Sequence, residues 1–196
     1  VAVVVGIPCT RTFTRTHVEK SMRKLIVAEH ISLDGVMQSP GAPDEDPSGA
    51  FRLGGWIVPY ADEAIGQDLQ GLFSQPFELL LGRRTYEIWA AYWPRVPVDS
   101  GSRAIADLFN SVPKHVATHR SDTLDWQYSH TLEGDLADAI RAFKQQDGAN
   151  LLTWGSGDMV RQLLAAGLVD ELRLMIYPVV LGRGKHLWDN NAQPSA

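Results

Sequence analysis

Cysteine is nearly absent from this chain. Cys9 is the only one, so no internal disulfide can form. That excludes a disulfide-stapled scaffold and fits a reducing, cytoplasmic setting. Basic charge is also scarce: 18 Lys and Arg against 23 Asp and Glu leave a net charge of -5. No basic footprint for a nucleic-acid partner results. The apolar run at the start, Val1 to Ile7, is too short to span a bilayer and lacks the basic leader and cleavage site of a secretory signal. No membrane partner is expected. There is no HExxH, CxxC, phosphate-loop lysine or Gly-x-Ser-x-Gly elbow, and the 6 histidines are scattered. A metal site and a serine hydrolase are therefore not expected.

What remains is ordinary globular material: 196 residues, 44% hydrophobic and 21% charged. That length suits one domain able to bury its own core. Residues 1–21 stand apart, with a valine run, Pro8, four threonines and several basic residues before Met22. The preferred reading is an expression remnant or an over-long gene start ahead of a domain spanning 22–196. The alternative is a genuine strand-forming extension, given the β propensity of the valine run.

Beyond Met22, short apolar runs alternate with helical patterns. Leu25–Ala28, Leu79–Leu81 and Leu151–Leu152 are continuous, as strands covered on both faces should be. His115–Ala117 is a weaker fourth strand, and Leu172, Leu174 and Ile176 alternate as a strand with one wetter face. Helical spacing recurs at Ile65, Leu69, Leu72 and Phe73, at Leu136, Ile140 and Phe143, and at Met159, Val160, Leu163 and Leu164. The last stripe closes at Gly167, where a left-handed cap residue belongs. This alternation predicts an α/β fold with a mostly parallel sheet between helices. Ser39 to Gly49, rich in Pro, Gly and Asp, reads as a mobile loop.

Several segments fall at predicted strand ends, where open α/β sheets bind ligands. Gly82–Arg83–Arg84–Thr85 joins a strand to a helix, offering free backbone N–H groups and two guanidinium groups to a phosphate. A plain turn with solvated arginines is the alternative. Gly155–Ser156–Gly157, followed by Asp158 and Met159, lets a backbone approach a pyrophosphate closely, provided that Asp158 points away. Thr118, His119 and Arg120 follow a strand and suit a ribose phosphate, or form an ordinary polar loop. Asp34 and Gly35, in Ser32–Leu33–Asp34–Gly35, either make a local turn or shape a loop closing over the site. Trp56, Trp89 and Trp93 are core residues or stacking platforms for a planar ring.

Ser32-Leu-Asp-Gly35, Gly82-Arg-Arg-Thr-Tyr-Glu87, Gly155-Ser-Gly157, Gly167-Leu-Val-Asp-Glu-Leu172 and Pro178-Val-Val-Leu-Gly-Arg-Gly184 occur in one order and spacing. In these the chain resembles small bacterial proteins related to dihydrofolate reductase and to the C-terminal reductase domain of riboflavin biosynthesis. The resemblance runs from Arg23 to Trp188. It implies a three-layer αβα fold and an NADPH-dependent reductase of a small planar heterocycle. It implies adenosine phosphates near Gly82, Arg83, Arg84, Thr85, Thr118, His119 and Arg120, with the pyrophosphate at Gly155 to Met159. The nicotinamide would lie beside Ala28 and the Ser32–Gly35 loop, where Asp34 is the candidate catalytic group. His30, Trp56, Trp89 and Trp154 are expected to line the substrate pocket.

Two departures bear on the substrate. Trp154 stands where riboflavin-pathway reductases usually carry a Glu before the glycine pair. Asp62, Glu63 and Asp68 all compete for the acid that dihydrofolate reductases carry on their first helix. The family also normally ends in a hairpin, while this chain stops at Ala196. The strand from Glu171 to Val180 is thus expected to expose an edge, covered by a homodimer partner, which is the preferred reading, covered by a folded-back Val1–Ile7, or blunted by Pro178 and Arg183.

Overall fold

A computed structural model describes residues 2–8 and 23–188. Cys9 and Met22 lie outside them, as does the choice of a native start. Seven strands form one sheet in the order β1-β7-β2-β6-β3-β4-β5. These are β1 (Val3–Pro8), β2 (Leu25–Ser32), β3 (Phe77–Gly82), β4 (Lys114–Ala117), β5 (Ser129–Leu132), β6 (Asn150–Trp154) and β7 (Glu171–Tyr177). Every neighbouring pair runs parallel except β1 with β7. The helices are α1 (Glu63–Phe73), α2 (Arg83–Tyr92), α3 (Arg103–Ser111), α4 (Leu136–Gln145) and α5 (Gly157–Ala165). The mostly parallel αβα architecture is the expected one.

The continuous apolar strands are buried because helices cover both sheet faces. On one face, Ile26, Ala28, Leu79, Leu81, Leu152, Met175 and Tyr177 share a core with Ile65 and Leu72 of α1, Tyr86 of α2 and Phe109 of α3. On the other, Leu25, Val27, Leu80, Leu151 and Leu174 pack with Ile140 of α4 and Met159, Val160 and Leu163 of α5. Gly167, at φ +64°, follows the end of α5. Its N–H donates to the Leu164 carbonyl and that of Leu168 to the Leu163 carbonyl, both at 3.0 Å, closing the helix as its sequence predicts.

Three expectations change. Val3–Pro8 pairs with β7 in six-residue antiparallel register, Val3 opposite Ile176 and Pro8 opposite Glu171. The fold-back alternative thus describes this edge: β7 is paired on both sides, and the unpaired edge from which a homodimer was expected is not there. The Ser39–Gly49 loop is cross-linked rather than loose. Buried Gln38 donates to the Asp46 and Ser48 carbonyls at 2.9 Å, and the Trp56 indole donates to the Gln38 carbonyl at 2.9 Å. Finally, α3 and β5 had no counterpart in the apolar pattern. Phe109 of α3 stacks on Trp89 at 5.0 Å and meets Trp93 edge-on at 5.1 Å, which turns two of the tryptophans inward.

Candidate functional site

The parallel strands β2, β3, β4 and β6 end on the same side of the sheet, and a cleft of about 1700 Å³ opens there. Two helix starts meet at its centre. The Gly82 N–H donates to Ser156 Oγ, and the Ser156 N–H donates to Thr85 Oγ1, both at 2.9 Å. This stitch locks the first turns of α2 and α5 together. Ser156 takes a left-handed conformation, φ 60° and ψ 37°, which turns its hydroxyl to Gly82 instead of capping α5. A Cβ on Gly155, at φ +73°, would lie 3.1 Å from Thr85 Oγ1, and one on Gly157 would lie 2.7 Å from Met37 Sδ. Gly155 is thus required by its left-handed backbone and by Thr85, whereas a Cβ on Gly157 would meet the flexible end of Met37, which can shift.

The helix caps differ across the molecule. On α1 and α4, the side chains of Asp62 and Asp135 accept hydrogen bonds from first-turn N–H groups. Neither α2 nor α5 has a side-chain cap, and α3, which also borders the cleft, has none. First-turn N–H groups of α2 and α5 therefore keep their hydrogen-bonding capacity, with the positive ends of both helix dipoles at the cleft. Asp158 does not oppose an anion there: its carboxylate is 92% exposed and pairs with Arg161.

Charge on the rim is balanced. Arg83 pairs with Glu87 at 3.0 Å and Asp122 at 2.6 Å, while Arg120 reaches the same two carboxylates, each at 2.7 Å. Hydrogen bonding by Glu87 holds the Arg83 guanidinium above its ordinary pKa. Arg83 Nη1 is nevertheless buried without a partner. Arg84 and Lys185 both bind Asp46, at 3.2 and 2.7 Å. Burial works against the charge on Asp46, but hydrogen bonds from Lys185, Ser48 and Arg84 hold its pKa down at about 2.

Beyond the helix starts the cleft becomes apolar and aromatic, lined by Ile65, Leu69, Trp89, Phe109 and Trp154. His30 lies at this end, 4.9 Å from the Trp154 ring, with Nδ1 2.9 Å from the Tyr177 hydroxyl. Burial pushes the imidazole pKa down to about 3 and, reinforced by Asp62, the phenol up to about 12.

His30, Gly82, Arg83, Arg84, Thr85, Trp89, Thr118, His119, Trp154, Gly155, Ser156, Gly157, Asp158 and Met159 all line this one cleft. Ala28, Asp34, Gly35, Trp56 and Arg120 lie outside its lining. Ala28 is fully buried in the core, and Trp56 packs edge-on against Tyr177 at 5.5 Å. The Asp34 carboxylate is occupied elsewhere: it accepts from Ser32 Oγ at 2.6 Å, the Leu181 N–H at 3.1 Å and the Gly182 N–H at 2.7 Å. The Ser32 hydrogen bond, aided by those backbone N–H groups, holds its pKa down at about 2. Asp34 thus clamps two loops together and lies outside the lining of the cleft in which its catalytic role is expected. None of the three acids on or beside α1 lines the cleft: Asp62 caps the helix, Glu63 binds Gln67 at 3.1 Å, and Asp68 lies 3.8 Å from Arg173.

Glu29 was missed by sequence reasoning. It borders the cleft, is 2% exposed, and has Oε1 without a partner. Burial holds its carboxyl well above the usual range, opposed by the Gly155 N–H. The signal was a lone acid inside an apolar, doubly covered strand.

The RibD C-terminal domain profile matches residues 23–195. An uncharacterized Bacillus subtilis (strain 168) protein, YyaP, is 28% identical over 166 residues, 85% of this chain and 80% of that protein. Among solved structures, a Shewanella sp. PV-4 protein named as a candidate riboflavin biosynthesis protein superposes with a TM-score of 0.56. The two share 19% identity over 87% of this chain and 86% of that one, a likeness of fold. Among the described residues, no helix is long and apolar enough to cross a membrane.

Proposed function

The chain belongs to the RibD C-terminal domain family, and on that premise we propose that it is an NADPH-dependent reductase of a planar pyrimidine- or pterin-like ring. The family supports a reductase-type function; cofactor and substrate are our reading. One observation carries it. Two uncapped helix starts, locked together by Gly82, Thr85 and Ser156, open onto a cleft whose far end is aromatic. A dinucleotide with a charged middle and a flat reactive end fits that sequence of surfaces.

In this reading the first-turn N–H groups of α2 and α5 hold the pyrophosphate. Arg83, Thr118 and His119, which line the cleft, surround the adenosine phosphate. Ile65, Leu69, Trp89 and Trp154 exclude water from the reacting rings and orient the acceptor. NADPH supplies the hydride; the protein supplies alignment and a dry, preorganised surround. Trp154, stacked near His30, offers an apolar surface where a phosphoribosyl-reading carboxylate would otherwise stand. A free heterocycle is thus favoured over a phosphoribosylated one.

A second reading is a nucleotide-binding protein without turnover, favoured by the absence of the α1 acids from the cleft lining. Titration of NADPH against tryptophan fluorescence tests binding, and NADPH oxidation across pterins, folates and pyrimidines separates the two readings. Absence of NADPH binding would defeat both.

A further inference from the structure

His30 and Tyr177 lie on adjacent strands, with Ser32 of β2 opposite Tyr177 of β7. Side-chain alternation places His30 on the α1 face with Ile26 and Ala28, the face that also carries Met175 and Tyr177. The Tyr177 hydroxyl lies 2.9 Å from His30 Nδ1 and has no other hydrogen-bond partner among the described residues. Tyr177 is among the residues lining the cleft but is only 1% exposed, which leaves its hydroxyl little access to water.

This geometry decides where the imidazole proton sits. Suppose Nδ1 carried it. The phenol oxygen would then accept, and the phenol's own O–H would be a buried donor with nothing to meet. With Nδ1 bare, the phenol donates to it, and the one remaining donor is the Nε2–H of an imidazole that borders the cleft. An unmet buried donor is worth roughly 5- to 150-fold in the tautomer ratio. The ring proton is therefore on Nε2, which has no protein partner among the described residues, while His30 borders the cleft beside Trp154. The imidazole is neutral at ordinary pH, because burial lowers its pKa to about 3. It is thus a hydrogen-bond donor and no imidazolium acid.

We propose that His30 is the residue that reads the substrate ring: a neutral Nε2–H donor, its tautomer set by Tyr177 as a positioning residue. It accepts flat heterocycles that present a carbonyl oxygen at that edge. It rejects those that present an amino group there, because two donors then face each other. This names a substrate class for the reductase reading and rests on it for the choice of probes.

The tautomer is measured first, on the full chain with no ligand, by ¹⁵N–¹H NMR of the histidine rings. His30 is assigned in the wild-type chain by nuclear Overhauser contacts to the Trp154 and Tyr177 rings, 4.9 and 5.4 Å from its own. The expected result is a protonated Nε2, a bare Nδ1, and no titration between pH 5 and 8. A proton on Nδ1, or a neutral-range titration, overturns the proposal even if no variant folds. Binding of pterin and 2,4-diaminopteridine, which differ at position 4 by a carbonyl against an amino group, is then followed by fluorescence quenching. The wild-type chain should favour pterin about tenfold. Tyr177→Phe should reduce that preference to about threefold or less, with NADPH affinity unchanged. A wild-type chain without the preference, or a Tyr177→Phe chain that keeps it, also overturns the proposal. Loss of NADPH binding alone, with tautomer and ring preference intact, would instead sink the reductase reading and leave His30's role standing.

Discussion

Asp34 sits in the Ser32–Gly35 turn that the resemblance places beside the nicotinamide, yet its three accepted hydrogen bonds go to Ser32, Leu181 and Gly182. Around it, the Leu33 N–H donates to the Val179 carbonyl, that of Met37 to Lys185 and that of Leu187 to Gly35, at 2.8, 2.9 and 3.0 Å. The carboxylate thus fastens the segment that brings Lys185, His186 and Trp188 to the cleft. Hydrogen bonds to a charged group are worth about 1.5–3 kcal/mol each, but partly exposed donors regain water when the acceptor leaves. Asp34→Ala should therefore cost about 2–4 kcal/mol, or roughly 5–15 °C in Tm for a domain of this size. Asp34→Asn keeps one carbonyl oxygen and should cost about half as much. The pH dependence has a definite sign. A carboxyl lowered from 3.8 to about 2 contributes stability that is present above pH 3.8 and lost as pH falls through about 2. After discounting for solvent screening, that contribution is about 1 kcal/mol, and both variants should lack it. Urea unfolding of the three proteins at pH 7 and between pH 2 and 4 measures all of this, with NADPH titration alongside. Wild-type stability in Asp34→Asn, together with abolished turnover, would return Asp34 to the reacting centre and refute the clamp.

The strands that could be read from the sequence are those whose signal is their own. Leu79–Leu81 and Leu151–Leu152 are apolar on both faces, the pattern of a short strand covered on both sides. Gly167 was legible for the same reason: a left-handed helix end has a local chemical requirement. The missed elements depend on distant partners. Ser129–Leu132 is polar and short, and is a strand because His115 and Val116 offer it an edge. Val3–Pro8, offered by its valine run only as an alternative, is a strand because Ile176 and its neighbours lie alongside it. The site was legible wherever glycine or serine joins a strand to a helix, at Gly82–Thr85 and Gly155–Met159. What the chain alone does not display is pairing. Arg83 and Arg120 look like free cations along it, but Glu87, one helical turn after Arg83, and Asp122, two residues after Arg120, pair with them. Nor does it separate a turn carboxylate from a catalytic one, because the Leu181–Gly182 backbone that binds Asp34 lies far along the chain.

Three further outcomes are expected. Arg83→Ala should weaken NADPH by roughly tenfold or more, one charge-assisted contact, and NADH much less. Equal losses in fluorescence titration would show that Arg83 does not meet the 2′-phosphate. Glu29 is raised by burial, so the folded chain loses stability as pH rises from the unfolded value of 4.5 through the folded pKa. Glu29→Gln, uncharged at every pH, should have the higher Tm at pH 8 and lose that advantage near pH 4; a variant less stable at both would assign the charged form a structural role. The last outcome concerns β1. Its six residues gain ladder bonds of about 0.5–1.5 kcal/mol each but give up about 1–2 kcal/mol of backbone entropy per residue. Val3 and Ile7 remain 57% and 45% exposed, and the added burial is confined mainly to Ala2 and Val4, which reach the core. The two sides nearly cancel, and removing residues 1–21 should barely change the urea midpoint. What changes is the edge: β7 loses its outer neighbour and presents free backbone groups to another chain. The 21.6 kDa full chain should scatter light as a monomer, with Gly6 and Pro8 interrupting the outer edge of β1, and the truncated chain should self-associate at micromolar concentration. A truncated chain that stays monomeric would show that β1 does not guard this edge.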